Sequence, residues 1–287
     1  MNLGELTQHA VQAALDAGAL IRSYRDREVE VLHKEGGDTY ASQVVTEVDR
    51  KAQDAILRIL GPSCEEYEIA LLTEESEDDG SRFEKKCFWC IDPMDGTLPF
   101  IRGEPGYSVS IALVARDGSP MIGVVFDPVQ DVLWQATKGQ GVHRNAEPWT
   151  LDASSQELTF TYDRSFKDHS ERDRVLRELE GYAYSIGLKK LASTQFGGAV
   201  INACHALESA PGCHFKFAKP QEGGGSLWDY AATACLYEEA GAVVGDIHGG
   251  PLDLNRPDFT FMNHRGAVYA TDEDLARCIR RILAQTE

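Results

Sequence analysis

The sequence predicts a mixed α/β fold built in two halves, with the division near residues 145–155. Apolar residues recur at intervals of three and four in the N-terminal segment, which is typical of helices, but at every second position between residues 88 and 142, which is typical of strands. After about residue 150 the two patterns alternate again. The chain of 287 residues contains no internal repeat and no long linker, and its length suits one large domain or two of ordinary size.

Two helices are expected before the first strands. The first covers residues 3–24, where the residues of one face are Leu3, Leu6, Ala10, Ala14, Ala17 and Ile21. The second covers residues 49–60, and Gly61-Pro62 is expected to end it. Between these helices, Gly36-Gly37-Asp38 predicts a mobile loop.

Short apolar runs predict the first set of strands: FWCI, YSVSIALVA, MIGVVF, VLWQA and GVH. Asp117-Gly118, between two of these runs, predicts a hairpin because both residues tolerate a positive φ. Farther along, helices are expected near residues 170–179, 198–207 and 227–239, with short strands near 242–245 and 266–270 and a last helix from about Asp272.

Composition narrows the class of protein. With 43% hydrophobic residues the chain can bury a core, which excludes a disordered chain. The 46 acidic residues outnumber the 28 basic ones, giving a net charge of −18, and this balance argues against a general nucleic-acid binder. No apolar run reaches the roughly 18 residues of a membrane span, and no secretion signal precedes the first helix. Seven cysteines, mostly inside apolar runs, indicate buried thiols, so we expect a cytoplasmic protein without membrane contact.

Carboxylates occupy turn-like positions directly after two apolar runs. Glu74 and Glu75 follow ALLT, and Asp92 and Asp95 follow FWCI with Pro93 between them. The three-residue offset is expected to bring both aspartates to one side. Such acids suit a hard divalent ion such as Mg²⁺, which takes carboxylates, a backbone carbonyl, waters and phosphate oxygens as ligands.

The residues that follow Asp95 suit an anion. Gly96 lets the backbone approach a ligand closely, and Thr97 can begin a helix whose free N–H groups point at phosphate. A further acid, Asp229, is expected in the first turn of an amphipathic helix that ends at Gly241. Each acid alone has an equally simple interpretation as a turn or cap residue, and it is their joint occurrence that favours a site.

Four separated motifs together resemble the inositol monophosphatase superfamily of Mg²⁺-dependent, lithium-sensitive phosphatases, which includes 3′(2′),5′-bisphosphate nucleotidases. The motifs are TEVD ending at Asp49, TEES with Glu74 and Glu75, IDPMDGT from Asp92 to Thr97, and LWDYAA with Asp229, followed by EAGAVVGDIHGGPLD. The resemblance runs over most of the chain.

The resemblance implies a role for each matching position. The ligands of two or three Mg²⁺ ions would be Glu74, Asp92, Asp95, Asp229 and the carbonyl of Met94, with Asp92 bridging two ions. The N–H groups of Gly96 and Thr97 would bind phosphate, and Thr97 with Asp49 would orient a metal-activated water, so that no covalent enzyme intermediate is required. Glu75 would support the ligands rather than bind metal.

The segment that would contact the rest of the substrate, called here the substrate-reading segment, departs from the family's usual pattern. The segment before Asp229 carries Lys216, Lys219 and three glycines, and Leu98-Pro99 after the DGT is also unusual. The two lysines could contact a second phosphate or other remote groups of a substrate, or they could be ordinary solvated side chains.

The implied fold is a layered α-β-α-β-α sandwich of the inositol monophosphatase type with two sub-domains, and the implied assembly is a homodimer. The N-terminal half, residues 1–150, would carry most metal ligands, and the C-terminal half, residues 151–287, would carry Asp229 and the substrate-reading segment. The implied activity is hydrolysis of an inositol or sugar monophosphate. Hydrolysis of a 3′(2′),5′-bisphosphorylated nucleoside and non-catalytic binding of an anionic metabolite are the alternatives.

Two cysteine motifs offer a weaker alternative chemistry. Cys87 and Cys90 have the spacing of a redox or zinc motif, but they lie in a predicted strand whose pleat would point them to opposite or offset faces. Cys204-His205 and Cys213-His214 resemble half-sites for zinc, but a buried thiol and a capping imidazole explain the first pair more simply.

Overall fold

The computed structural model describes residues 1–25, 27, 29–33 and 44–285. The loop predicted at Gly36-Gly37-Asp38 lies outside these residues. Helices and sheets alternate in five layers: an outer helix layer, a large sheet, a middle helix layer, a smaller sheet and a second outer helix layer. One hydrophobic core surrounds the middle helices, and each of two further cores lies between a sheet and its outer helices. The predicted α-β-α-β-α sandwich is therefore confirmed.

The first outer layer consists of α1 (Leu3–Ser23) and α2 (Glu47–Glu66), with the short strands β1 (Val31–His33) and β2 (Val44–Thr46) between them. The first predicted helix is confirmed. The prediction that Gly61-Pro62 ends the second helix is wrong, since α2 continues for another turn. The Pro62 ring faces solvent, and the next residue, Ser63, is buried and accepts a hydrogen bond from Trp89 Nε1 at 3.0 Å, so packing outweighs the helix-breaking tendency of proline.

The large sheet contains seven strands in the order β3 to β9. Their bounds are Ala70–Thr73, Cys87–Asp95, Ser108–Ala115, Pro120–Asp127, Val132–Thr137, Val142–Arg144 and Glu147–Trp149. The strands predicted between residues 88 and 142 are confirmed, and so is the hairpin, where Gly118 adopts φ +87°. A one-turn helix, α3 (Thr97–Ile101), follows β4 directly. Within this sheet β3 and β4 pair in parallel and the other neighbouring strands pair antiparallel. The parallel pairing places Glu74 beside the end of β4.

The middle layer consists of two buried helices that lie between the two sheets. These are α5 (Ala199–Glu208) and α6 (Leu227–Glu239). The helix that carries Asp229 is not amphipathic as expected. Its residues from Tyr230 to Tyr237 are all buried, because one side packs on the large sheet and the other on the smaller sheet.

The smaller sheet has the strand order β11-β10-β12-β14-β13. The bounds of β10 to β14 are Glu157–Thr161, Lys190–Thr194, Gly212–Lys216, Val243–Gly245 and Ala267–Ala270. Its outer face is covered by α4 (Arg172–Ser185) and α7 (Glu273–Leu283). The sequence analysis did not predict β10, β11 or β12, although every second residue of ELTFT in β10 and of GCHFK in β12 is apolar.

The proposed division near residue 150 falls in the connection between the two sheets, after β9 and before β10. The middle helices belong to the second half of the chain but pack on the sheet of the first half, so the two halves share one core. None of the helices within the described ranges is both long and apolar enough to cross a membrane.

Candidate metal centre

Three carboxylates converge where the large sheet meets the middle helix layer. Asp92 and Asp95 lie at the end of β4, and Asp229 lies in the first turn of α6. One ligand oxygen from each of the three lies within 4.8 Å of the others. Among the residues that the structure describes, this is the one group of acidic, histidine and cysteine side chains close enough to hold a metal ion.

An irregularity in β4 turns both aspartates to the same side. Asp92 pairs with Ser110 and Asp95 with Ser108, so the strand register shifts across Pro93 and Met94. The backbone N–H of Met94 donates to Asp92 Oδ1 at 2.9 Å, which fixes the Asp92 carboxylate over the bulge. The proline therefore breaks the ladder where the site needs two carboxylates three residues apart.

A capping box fixes Asp229. Ser226 is the N-cap of α6, and its backbone N–H donates to Asp229 Oδ2 at 2.8 Å. Gly225, with φ +86°, lies against the same oxygen, since a Cβ built on it would be 2.6 Å from Asp229 Oδ2. The loop before α6 therefore sets the direction of this carboxylate.

The N-terminus of α5 fixes Asp95. The backbone N–H of Val200 donates to Asp95 Oδ2 at 2.9 Å. Gly198 lies so close that a Cβ built on it would be 2.2 Å from Asp95 Oδ2. The N–H of Gly198 donates in turn to the carbonyl of Gly106 at 2.9 Å, which ties α5 to the segment that follows α3.

Glu74 joins the group from the neighbouring strand. Its backbone N–H donates to the carbonyl of Ile91 at 3.1 Å, and its side chain forms a hydrogen bond with Asp92. The structure thus brings together Glu74, Asp92, Asp95 and Asp229, while Met94 is buried between the aspartates.

Burial and mutual repulsion make this cluster electrostatically unfavourable without a cation. Burial raises the pKa of Asp92 well above its usual range, and the charges of Glu74 and Asp229 raise it further. Burial and the charge of Asp229 also raise the pKa of Asp95, and burial raises the pKa of Asp229. The charge of Lys216 lowers the pKa of Asp95 and of Asp229 and so offsets part of this effect, but both pKa values stay raised. A cluster of buried oxygen anions of this kind fits a hard divalent cation.

A threonine and an aspartate form a second pair beside the cluster. Thr97 Oγ1 donates to Asp49 Oδ1 at 2.9 Å and lies 3.3 Å from the carbonyl of Met94. Asp49 sits in the first turn of α2, where the backbone N–H and the hydroxyl of Thr46 donate to Asp49 Oδ2 at 2.7 and 2.6 Å. Burial raises the pKa of Asp49 to about 6.

Glu75 lies on the Asp49 side of the site. Its backbone N–H donates to Gln53 Oε1 at 3.3 Å, and its charge raises the pKa of Asp49. Gly96, the N-cap of α3, has φ +92°, and a Cβ built on it would be 2.5 Å from the carbonyl oxygen of Gly106. Only a glycine fits between Asp95 and Thr97 without moving this backbone.

The two lysines differ in their surroundings. Lys216 Nζ lies 2.8 Å from Asp163 Oδ2 and donates to the carbonyl of Gly224 at 3.3 Å, so it is not an ordinary solvated lysine. The backbone of Lys219 forms two hydrogen bonds with Asn263. The Lys219 N–H donates to the Asn263 carbonyl at 2.8 Å, and the Asn263 side-chain Nδ2 donates to the Lys219 carbonyl at 3.1 Å.

The sequence analysis missed four residues that hold the site. Thr46 could have been found, because TEVD has the Thr-x-x-Asp form of a capping box, and Ser226 repeats that form before Asp229. Asp163 follows an unpredicted strand, and no sequence signal connects it with Lys216. The contact between Val200 and Asp95 joins backbone to side chain across 105 positions, which residue type does not reveal.

The residues of the two cysteine motifs pack in hydrophobic cores or against neighbouring groups. Cys87 and Cys90 pack in different cores on the two faces of the large sheet, as the strand pleat predicted. The ring of His205 lies against Phe196, with ring centres 3.5 Å apart, and burial lowers the pKa of His205 to about 4. His214 is buried and its Nδ1 lies 3.0 Å from the carbonyl of Thr161.

Comparisons with known proteins agree on one family. Residues 2–285 match the profile of the inositol monophosphatase family. An inositol-1-monophosphatase from Synechocystis is 31% identical over 287 residues, covering 96% of this chain and 88% of the relative. The Nus factor SuhB of Escherichia coli K12 is 30% identical over 257 residues, covering 84% of this chain and 85% of the relative. The solved structure of an inositol monophosphatase from Anabaena superposes with a TM-score of 0.71 at 23% identity, covering 99% of this chain and 97% of that one.

Proposed function

Because the chain belongs to the inositol monophosphatase family, whose members are phosphatases, we propose that it is a Mg²⁺-dependent phosphomonoesterase that hydrolyses an inositol or sugar monophosphate. The observation that carries the proposal is the contact of two different groups: a buried carboxylate cluster and, beside it, the hydrogen-bonded pair of Asp49 and Thr97. A protein that only binds an anion has no need of the second group.

Two or three Mg²⁺ ions would be held by the carboxylates of Glu74, Asp92, Asp95 and Asp229 and by the carbonyl oxygen of Met94. Bound Mg²⁺ would supply Lewis acidity toward the phosphoryl group and lower the pKa of a water. The bulge in β4 and the two helix N-termini hold the carboxylates in place before any ion binds, so little reorganisation is required.

Thr97 and Asp49 are proposed to orient the attacking water. The Thr97 hydroxyl donates to Asp49 Oδ1, which leaves the lone pairs of Oγ1 to accept a hydrogen bond from water. Asp49 accepts this hydrogen bond, and its complete burial keeps bulk water from competing for the carboxylate.

Substrate binding is proposed to use the turn at the start of α3 and the segment before α6. The backbone N–H groups of Gly96 and Thr97 would bind the phosphate, and Lys219 would contact a remote group of the substrate. Lys216 shares this segment, but its ammonium already binds Asp163, a contact that is developed in the next subsection.

We also propose that the protein acts as a cytoplasmic homodimer. The seven free cysteines favour a reducing compartment. The homodimer is inherited from the family resemblance, and light scattering at micromolar protein concentration tests it, because a monomeric mass contradicts that part of the proposal.

A panel of phosphate esters at fixed Mg²⁺ tests the proposed activity. The panel contains an inositol monophosphate, a sugar monophosphate, a 3′,5′-bisphosphorylated nucleoside and p-nitrophenyl phosphate, each with Mg²⁺ and with EDTA. We expect Mg²⁺-dependent phosphate release with the highest kcat/KM for one of the first two esters. Preference for the bisphosphate would indicate a nucleotidase, and no release from any ester would indicate a non-catalytic binding protein; either result contradicts the proposal.

A further inference from the structure

The ammonium group of Lys216 is held inside the protein. Its Nζ lies 2.8 Å from Asp163 Oδ2, donates to the carbonyl of Gly224 at 3.3 Å and lies 5.1 Å from the centre of the Tyr230 ring. The side chain is 14% exposed. Three groups therefore fix the direction of this ammonium, and little of it faces solvent.

The carbonyl that Lys216 contacts belongs to a loop that only glycine forms easily. Gly223, Gly224 and Gly225 have φ values of +126°, +76° and +86°. The loop has no side chains of its own with which to pack. Its Gly224 carbonyl accepts hydrogen bonds from both Lys216 Nζ and the Tyr230 hydroxyl, which anchor it from outside.

This loop is in direct contact with the Asp229 carboxylate. The residue after the glycines, Ser226, donates its backbone N–H to Asp229 Oδ2 at 2.8 Å, and Gly225 lies against the same oxygen. A shift of the Gly224 carbonyl would therefore move the backbone that orients Asp229.

Asp163 opposes any outward rotation of Lys216. The Asp163 carboxylate accepts a hydrogen bond from Asn202 Nδ2 at 3.3 Å, and His214 Nε2 lies 3.9 Å from Asp163 Oδ1. The charge of Lys216 lowers the pKa of Asp163 despite burial, so the carboxylate is ionised at neutral pH. If Lys216 turned to a substrate, this carboxylate would lose its ion pair, which is unfavourable at a partly buried position.

We propose that Lys216 is a positioning residue for the Asp229 carboxylate, acting through Asp163 and the Gly224 carbonyl, and that it does not contact the substrate. The inference rests on the proposed function in one respect, the use of Asp229 as a metal ligand. It replaces the interpretation of Lys216 as a substrate-binding lysine and leaves that role to Lys219.

Calorimetric titration of Mg²⁺ without substrate tests the inference, using Lys216→Met as the variant and Lys190→Met as the matched control. Lys190 also forms an ion pair at 2.8 Å, with Glu157, but at the surface and away from the site. We expect Lys216→Met to weaken Mg²⁺ binding about tenfold or more, as is usual when a group that supports a metal ligand is lost. Simple removal of a positive charge near the cluster would instead tighten Mg²⁺ binding, so the sign of the change separates positioning from charge repulsion.

A second variant and a kinetic measurement complete the test. Asp163→Asn should weaken Mg²⁺ binding in the same direction, and the double variant should be no weaker than the worse single variant, because the two residues act as one unit. With p-nitrophenyl phosphate and with a bisphosphorylated nucleoside, kcat/KM of Lys216→Met should fall by the same factor.

Two results would overturn the inference. Unchanged or tighter Mg²⁺ binding with a KM raised only for the bisphosphate would make Lys216 a substrate contact. A lower Tm with unchanged Mg²⁺ affinity in both variants would make the ion pair a purely structural one. A wild-type protein that binds Mg²⁺ but hydrolyses no ester would contradict the proposed function, while the Mg²⁺ titrations would still decide the role of Lys216.

Discussion

Thr97 Oγ1 donates a hydrogen bond to Asp49 Oδ1 across 2.9 Å, which joins the first turns of α3 and α2. Asp49 is fully buried, and its other carboxylate oxygen is held by Thr46. The contact spans 48 positions in the sequence and ends at the start of α3, two residues after Asp95. The helix that supports Asp49 is therefore coupled directly to the turn that would bind phosphate.

Replacing Thr97 by alanine is expected to lower kcat about 10²-fold, because a misplaced nucleophile typically reduces the rate by that factor. Mg²⁺ affinity, measured by calorimetry, should be nearly unchanged, since the hydroxyl is expected to orient water rather than bind an ion. Thr97→Ser retains the hydroxyl and should keep most of the activity. If excess Mg²⁺ restores the rate of Thr97→Ala, Thr97 is a metal ligand and the proposed role is wrong.

The pKa of Asp49 predicts a pH-dependent stability. Burial raises this pKa from 3.8 to about 6, so between these values the folded state binds a proton that the unfolded state has released. The contribution of Asp49 to the free energy of unfolding therefore falls by about 3 kcal/mol in total as pH rises from about 4 to about 6. The free energy of unfolding of Asp49→Asn minus that of the wild type should rise by a similar amount over this range.

Denaturant unfolding in EDTA at several pH values measures this difference. Asp54→Asn is the matched control, because Asp54 is exposed on the same helix, and its difference from the wild type should stay constant. If the free-energy difference between Asp49→Asn and the wild type does not change with pH, burial does not raise the pKa of Asp49.

Asp92→Asn should abolish turnover and leave the fold intact. Removing the charge of Asp92 removes the ligand proposed to bridge two ions, while a metal-free carboxylate cluster tolerates the loss of one negative charge. In EDTA, Tm should be at least as high as that of the wild type, since burial and repulsion oppose ionisation of Asp92. Retention of more than about a tenth of the wild-type rate, a loss under about 1.4 kcal/mol in barrier, rules out the bridging role.

Gly198→Ala should weaken Mg²⁺ binding about tenfold or more, because the added methyl would lie 2.2 Å from Asp95 Oδ2 and must displace the carboxylate. The backbone of Gly198, at φ −66° and ψ 173°, suits any residue, so the effect is steric. Gly181→Ala is the control: Gly181 lies in α4 with nothing within 4 Å of the added Cβ. It should leave Mg²⁺ binding unchanged and stabilise the protein by about 0.5–1 kcal/mol.

Lys219→Ala should raise KM for the natural ester and leave kcat nearly unchanged, as expected when a group binds substrate and transition state equally. The increase should be smaller for p-nitrophenyl phosphate, which has no remote charged group. An unchanged KM for every ester would remove Lys219 from the substrate site.

Much of the fold follows from local patterns. The strands of the large sheet combine strong apolar runs with clear turn signals, and α1 has a regular apolar face, so both could be predicted. Pro62 and α6 show where local rules fail. The extra turn after Pro62 depends on packing of Ser63 against Trp89, and the complete burial of α6 depends on the second sheet, three of whose strands the sequence analysis did not predict.

Some residues of the candidate site could likewise be predicted from the sequence, and others could not. Asp92, Asp95 and Asp229 lie in short motifs whose spacing carries their geometry, so the sequence indicated them directly. Asp163 and Gly198 act through contacts with residues that are distant in the sequence, Lys216 and Asp95 respectively. Their importance depends on where distant segments meet, and this becomes visible only in three dimensions.

The most direct test of the proposed function is a Mg²⁺ titration in which phosphate release and Mg²⁺ binding are followed on the same protein. For the wild type, the rate of hydrolysis should be zero in EDTA and should rise with the occupancy of the ions, and for Asp92→Asn both signals should be lost together. Hydrolysis that persists in EDTA, or a rate that Asp92→Asn leaves unchanged, would contradict a reaction that depends on Mg²⁺ held by the Asp92, Asp95 and Asp229 cluster.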